Sequence, residues 1–310
     1  MTGRKIIVIA GPTACGKTEY AIMVAENTGG EIVSCDSMQI YKYMSIGSAK
    51  PTAEELSRAK HWLVDEIDPR EDFSVARYRD MAKEAINDIL SRGKTPVVAG
   101  GTGLYLNSLL YDMDFSEADR DMELRQTLMD EADLFGPEYV YKKLEAIDPV
   151  KASKIHPNNL KKVIRALEGA SNGKGIAEFS ELTTRTGDYD VLLIGLTRDR
   201  EELYDRINRR VDIMVEQGLF KEVEELLEMG LQEEDISMKG IGYKEVIAFY
   251  DGQMTEDEAI DKIKQNTRHL AKRQLTWFRR YEDMHWINIT ELGDEGAMKE
   301  IMDLINDFLD

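Results

Sequence analysis

Cysteine is nearly missing from this chain, with Cys15 and Cys35 the only two. They form no CxxC pair, and the four histidines show no ligand spacing, so a disulfide framework and a zinc site are both excluded. Long apolar runs are also absent, and none approaches the roughly 18 to 20 residues that a membrane span needs. The opening Met1-Thr2-Gly3-Arg4-Lys5 leads straight into Ile6-Ile7-Val8-Ile9-Ala10 and carries no export or anchoring signal. A soluble protein of a reducing cytoplasm is expected. Net positive charge is lacking too. The formal charge of −19 argues against a protein that coats nucleic acid indiscriminately, because such affinity comes from neutralising phosphates.

Basic charge is nonetheless concentrated locally. Lys262 to Arg280 holds seven basic residues and no acidic one, whereas Lys221 to Asp235 holds seven acidic residues and one lysine. A solvated helix face would explain the basic run in most proteins, but in so acidic a chain it suits phosphate contact better.

The 310 residues are enough for one large core or two unequal ones. Strand and helix patterns alternate at first: strands at Lys5 to Ala10, Glu31 to Cys35 and Thr95 to Ala99, and a helix from Lys17 to Asn27. Ser74 precedes Val75, Tyr78, Ala82, Ala85, Ile86 and Ile89, three and four residues apart, which predicts an amphipathic helix stopped by Gly93. Such alternation implies crossover connections and a parallel sheet. After about Asp112 the strand signal ends. Short helical patterns follow, broken at Gly136-Pro137, Asp148-Pro149, His156-Pro157 and Asn172-Gly173, until Val191 to Leu196 resumes the sheet. The remainder reads as helices at 200–217, 220–229, 243–250, about 255–281 and the C-terminus. The expected architecture is α/β, with a discontinuous core over 1–112 and 190–310 and a helical insertion over 113–189.

Gly11-Pro12-Thr13-Ala14-Cys15-Gly16-Lys17-Thr18 follows the first strand and opens a helix, the context that a GxxxxGK[ST] phosphate loop requires. Its glycines let backbone N–H groups turn onto phosphate oxygens, Lys17 adds a point charge, and the Thr18 hydroxyl suits Mg²⁺. Nothing in the loop distinguishes ATP from any other diphosphate. Asp36 ends the second strand at the edge where the phosphate loop lies. It has three readings: a magnesium-holding acid acting through water, a base, or a cap for the turn Ser37-Met38-Gln39. Gly100-Gly101-Thr102-Gly103 closes the third strand and offers a hydroxyl at the same edge, although a tight turn explains it almost as well. Cys15 reads as a small filler, and Trp277 and Phe278 as core. The phosphate loop alone would fit a kinase; the basic helix alone would fit a non-catalytic RNA-binding protein.

Several segments together resemble one family. Gly11 to Thr18, Asp36-Ser37 with Gln39 and Tyr41, Gly47-Ser48-Ala49-Lys50-Pro51, Gly100 to Tyr105, His156-Pro157-Asn158 and Arg165-Ala166-Leu167-Glu168 stand in the order seen in tRNA dimethylallyltransferases, also called tRNA isopentenyltransferases. Gly240-Ile241-Gly242-Tyr243-Lys244 and Arg268 with Lys272-Arg273-Gln274 and Trp277 complete the set. The resemblance spans about residue 5 to 287 and implies a P-loop core with a helical insertion that grips the anticodon arm. It implies that Gly11 to Thr18 hold dimethylallyl diphosphate, with Arg206 and Arg210 reaching the diphosphate and Thr18 on Mg²⁺. Asp36 resembles the general base on adenine N6, with Lys17, Thr102 and Arg206 completing the catalytic group. Asp36, Ser37, Met38, Gln39, Thr102, Arg125, Lys161, Lys162, Val163, Ile164, Arg165, Lys239, Gly240, Ile241, Gly242, Tyr243, Lys244, Arg268, Lys272, Arg273 and Gln274 fall at positions that contact tRNA. Lys161 and Lys162 stand where some relatives carry Gln-Arg, exchanging bidentate contacts for point charges. The zinc-finger extension of eukaryotic members has no counterpart, which points to a bacterial type, and a monomer is expected.

Overall fold

The computed structural model describes residues 4–113, 122–171 and 184–310. The expected break at Asn172-Gly173 and the opening Met1-Thr2-Gly3 lie outside the described residues. Contacts divide the chain into two units, Met1–Leu110 with Thr186–Asp310, and Tyr111–Arg185.

In the larger unit β1 (Lys5–Ala10), α1 (Lys17–Thr28), β2 (Glu31–Cys35), α2 (Ala53–Arg58), β3 (His61–Trp62), α3 (Val75–Ser91), β4 (Pro96–Gly100) and α4 (Gly103–Leu110) come first. The smaller unit contributes α5 (Met122–Phe135), α6 (Pro137–Ile147), α7 (Pro149–Ala152) and α8 (Leu160–Ser171). The larger unit then resumes with β5 (Asp190–Thr197), α9 (Arg200–Glu216), α10 (Leu219–Glu228), α11 (Tyr243–Tyr250), α12 (Glu256–Phe278), β6 (His285–Asn288) and α13 (Ile289–Leu309). Six parallel strands form one sheet in the order β3-β2-β4-β1-β5-β6. Ile7, Ile9, Val97 and Ile194 belong to a core cluster with residues of α1 and α13, while the alternate residues Ile6, Val8, Val98 and Leu193 are equally buried. Since strand side chains alternate between faces, the sheet is covered on both sides, which is why its central strands are uniformly apolar.

Helix ends follow the side chains that can cap them. Ser74 accepts from Arg77 N at the start of α3, and Thr255 forms a capping box with Glu258 at the start of α12. The two edge strands, β3 and β6, were not expected from the sequence. The smaller unit has its own core, in which Leu128, Ala132, Val140 and Leu144 meet Val163, Ile164 and Leu167. Among the described residues no helix is long and apolar enough to cross a membrane.

Candidate active site

Strand register brings the candidate residues to one edge. Ala10 pairs with Gly100, and Gly100 pairs with Cys35, so Gly11, Gly101 and Asp36 are each the first residue past the same end of the sheet. Between β1 and α1 the loop turns through Gly11 (φ 152°), Ala14 (φ 64°) and Gly16 (φ 108°), which leaves little choice but glycine at 11 and 16. A Cβ on Gly11 would also stand 2.4 Å from Leu196 O of β5.

Side chains from outside the loop hold its carbonyls. Arg206 Nε donates to Ala14 O at 2.9 Å, and Arg198 Nε donates to Cys15 O at 3.1 Å. Lys17 Nζ donates to Pro12 O at 2.7 Å, so the lysine closes over the loop. Carbonyls fixed in this way leave the amides of Gly16, Lys17 and Thr18, at the N-terminus of α1, to face an anion. Cys15 is fully buried and fills space beneath the loop. Arg210 lies one turn beyond Arg206 on α9, and among the described residues it has no hydrogen bond or ion pair. Burial pushes its guanidinium below the ordinary value. An enclosed arginine without a partner beside the loop is suited to a phosphate oxygen.

Asp36 fills the capping role read from the sequence and keeps one oxygen for another. Its Oδ1 accepts from Met38 N at 2.8 Å and from Gln39 N at 3.3 Å, capping the turn. Its Oδ2 has no hydrogen bond among the described residues, so capping orients the carboxylate without exhausting it. Thr102 ties the next segment to this one: its N donates to Cys35 O at 3.1 Å, and its Oγ1 accepts from Ser37 N at 3.1 Å. The Cys35 thiol, pushed up to about 12 by burial, donates to Thr102 O and takes no part in nucleophilic chemistry.

Gln274 of α12 joins the two loops, accepting from Thr13 N at 2.8 Å and donating to Gly101 O at 3.0 Å. On the same helix Arg268 donates to Asn208 Oδ1 at 2.6 Å, whereas Lys272 and Arg273 are exposed. Lys272, Arg273, Thr276, Trp277 and Arg280 line a groove of about 300 Å³, and the Arg280 guanidinium lies 5.2 Å from the Trp277 ring centre. Phe278 is buried as expected; Trp277 is only half-buried.

Burial corrects several expectations of RNA contact. Val163 and Ile164 belong to the core of the smaller unit, so of that run only Lys161, Lys162 and Arg165 are exposed. Arg125 makes a bidentate pair with Glu168 at 2.9 and 2.8 Å, which fixes α5 on α8. Gly242 and Tyr243 are buried, leaving Lys239 and Lys244 as the exposed cations of their segment. Gly240 is small because Met38 packs on it, where a Cβ would meet the Met38 methyl at 2.6 Å.

Two important residues were missed in the sequence. Glu222, read as one acid in an acidic run, is buried and accepts from Ser45 N, Ile46 N and Gly47 N at 2.8, 2.7 and 3.0 Å and from the Tyr243 hydroxyl at 2.8 Å. It thereby holds the 45–50 segment, whose Ala49 O accepts from Gln39 Nε2 at 3.0 Å. Arg198 gave a weak signal, a cation one residue past β5 at the carboxyl edge of the sheet.

The chain as a whole is similar to known proteins. The family model for IPP transferase matches residues 39–281. A tRNA dimethylallyltransferase of Alkaliphilus oremlandii is 54% identical over 288 residues, covering 93% of this chain and 92% of its own. One from Acetivibrio thermocellus is 51% identical over 299 residues, 96% of each chain. Among solved structures, a full-length tRNA isopentenylpyrophosphate transferase of Bacillus halodurans matches with a TM-score of 0.75 and 42% identity, over 99% of this chain and 97% of its own. A eukaryotic dimethylallyltransferase acting on tRNA matches with a TM-score of 0.83 and 31% identity, over 98% of this chain and 79% of its own. With more than half its length matched by the family model and close relatives aligned nearly end to end, this chain belongs to the IPP transferase family.

Proposed function

We infer that the protein transfers a dimethylallyl group from dimethylallyl diphosphate to N6 of the adenosine at tRNA position 37, 3′ to the anticodon, releasing diphosphate. The observation that carries this reading is the shared sheet edge of the Gly11–Thr18 loop and Asp36, whose Oδ2 has no hydrogen bond among the described residues. In the transfer the allylic C–O bond breaks, the new C–N6 bond forms, and the diphosphate departs with the bonding pair. The N6 lone pair is delocalised into the ring, so Asp36 accepts a hydrogen bond from the amine and then its proton. Charge gathering on the leaving diphosphate meets the loop amides, Lys17, Arg206 and Arg210, and is stabilised most in the transition state. No covalent intermediate with the protein is required.

Mg²⁺ would be held by the Thr18 hydroxyl together with diphosphate oxygens and water, a hard-oxygen set that needs no cluster of protein carboxylates. It supplies Lewis-acid stabilisation of the leaving group. A base stacked within the anticodon loop cannot reach this edge, so the adenine enters flipped out of its stack. Lys272 and Arg273 on α12 and Arg280 just past its end, with Lys239 and Lys244, offer phosphate contacts. Within the smaller unit Lys161, Lys162 and Arg165 form a second exposed set. The protein works as a monomer in the cytoplasm.

Labelled dimethylallyl diphosphate incubated with unmodified tRNA bearing adenosine at that position tests the reading. Chromatography of the digested nucleosides is expected to give N6-(dimethylallyl)adenosine. Unlabelled RNA, or consumption of ATP in place of the allyl donor, would overturn it.

A further inference from the structure

Gln274 sits within the basic run of α12, and by position in sequence it looks like one more polar group turned toward RNA. Its carboxamide is engaged elsewhere: Oε1 takes the Thr13 N–H, and Nε2 holds Gly101 O. These partners belong to the two halves of the site. Thr13 lies in the diphosphate loop, and Gly101 precedes Thr102, whose hydroxyl fixes Ser37 N beside Asp36. The glycines of this turn are explained by the same helix. A Cβ at position 101 would lie 2.4 Å from Gln274 Nε2, and one at position 103 would lie 2.2 Å from the Trp277 ring. Gln274 and Trp277 are three residues apart and share a helix face, which reaches into the turn. Lys272 and Arg273, by contrast, are exposed.

We propose that Gln274 is a positioning residue of the transfer reaction, a clip that sets the diphosphate loop against the turn bearing Thr102 and, through it, Asp36, and that it is not an RNA contact. The proposal rests on the transfer activity inferred above. Because the Thr13 N–H is taken by the clip and the Cys15 N–H by Pro12 O, the amides left to receive the diphosphate lie from Gly16 toward Thr18.

Steady-state kinetics with labelled dimethylallyl diphosphate, run beside filter binding of tRNA, test this on the full chain. Gln274→Met removes two hydrogen bonds of ordinary strength, so kcat/KM for the diphosphate is expected to fall about tenfold or more. Over the same comparison the tRNA Kd should move less than about twofold, whereas Lys272→Ala should weaken tRNA and leave the diphosphate KM in place. Gly101→Ala places a methyl where the carboxamide end stands and should give the same pattern as Gln274→Met. The double variant should then be no worse than either single change, because both break the same clip. Should thermal unfolding reveal that Gln274→Met does not fold, Gly101→Ala carries the same two readings. The proposal is overturned if these variants weaken tRNA binding more than they lower kcat/KM for the diphosphate, or if they change neither. Wild-type protein that leaves tRNA unlabelled would instead overturn the transfer reading, and equilibrium dialysis of dimethylallyl diphosphate against the same variants would still decide the clip, by an affinity that falls or stays.

Discussion

Glu31 and Asp36 bracket a single strand, β2, and the protein treats the two carboxylates in opposite ways. Glu31, at the amino end, accepts two hydrogen bonds from Arg92 at 2.6 and 2.7 Å, one from Lys94 at 2.8 Å and one from Trp62 Nε1 at 2.9 Å. The Arg92 guanidinium holds its carboxyl well below the usual carboxylate range. Asp36, just past the carboxyl end, has one oxygen engaged by backbone amides and the other open. A saturated carboxylate can only hold structure; a half-engaged one is oriented and still able to take a proton. The teaching lies in the accounting of lone pairs, since both residues are acids at the ends of one strand.

The largest effect should come from Asp36→Asn. The amide oxygen can keep the cap, so stability should hardly change, but turnover is expected to fall about 10²-fold or more because no base remains. Single-turnover labelling of tRNA checks this, and a near-normal rate would erase the contrast between the two acids. Glu31→Ala should do the reverse. We expect a loss of about 2–3 kcal/mol in urea unfolding as buried charge-assisted bonds disappear, with kcat unchanged wherever the variant is folded. Thr102→Val should fall between them, lowering kcat/KM about tenfold as Ser37 N loses its acceptor beside Asp36.

The smallest effect concerns pH. Because the folded Glu31 carboxyl titrates below its ordinary value of 4.5, its contribution is fully present above that value. It is lost as pH falls from there through the folded value. Wild-type stability should therefore drop more steeply than that of Glu31→Gln once the pH goes below about 4.5, as urea midpoints measured in steps of pH would report.

Much of this contrast was legible in the sequence, and what was hidden has a common cause. The central strands, the phosphate loop and Asp36 were readable because local pattern fixes them: a buried apolar run, glycines needed for positive φ, and an acid at a strand end. Helix starts were readable where Ser74 and Thr255 announce their caps. The edge strands were not, because His61-Trp62 is too short to show alternation and His285-Trp286-Ile287-Asn288 carries only one fully buried residue. Glu222 and Arg198, and the contacts of Gln274, escaped for a different reason. Each side chain serves backbone groups more than 170 residues away in the chain, at Ser45, Thr13 and Cys15 respectively. No window along the sequence contains both partners. Val163 and Ile164, placed among RNA contacts by the resemblance, have their side chains in the core of the smaller unit, which position in a motif does not reveal.

Strand β1 is paired on one side with β4 and on the other with β5, where Ile6 meets Val191. During synthesis on the ribosome the second of those neighbours emerges only after the whole 111–185 segment has been made. Leu196 O, which stands against Gly11, arrives later still, as do Arg198 and Arg206, which grip the loop. The loop after β1 is thus translated long before its walls, and it cannot gain them until the residues through Arg206 have left the exit tunnel.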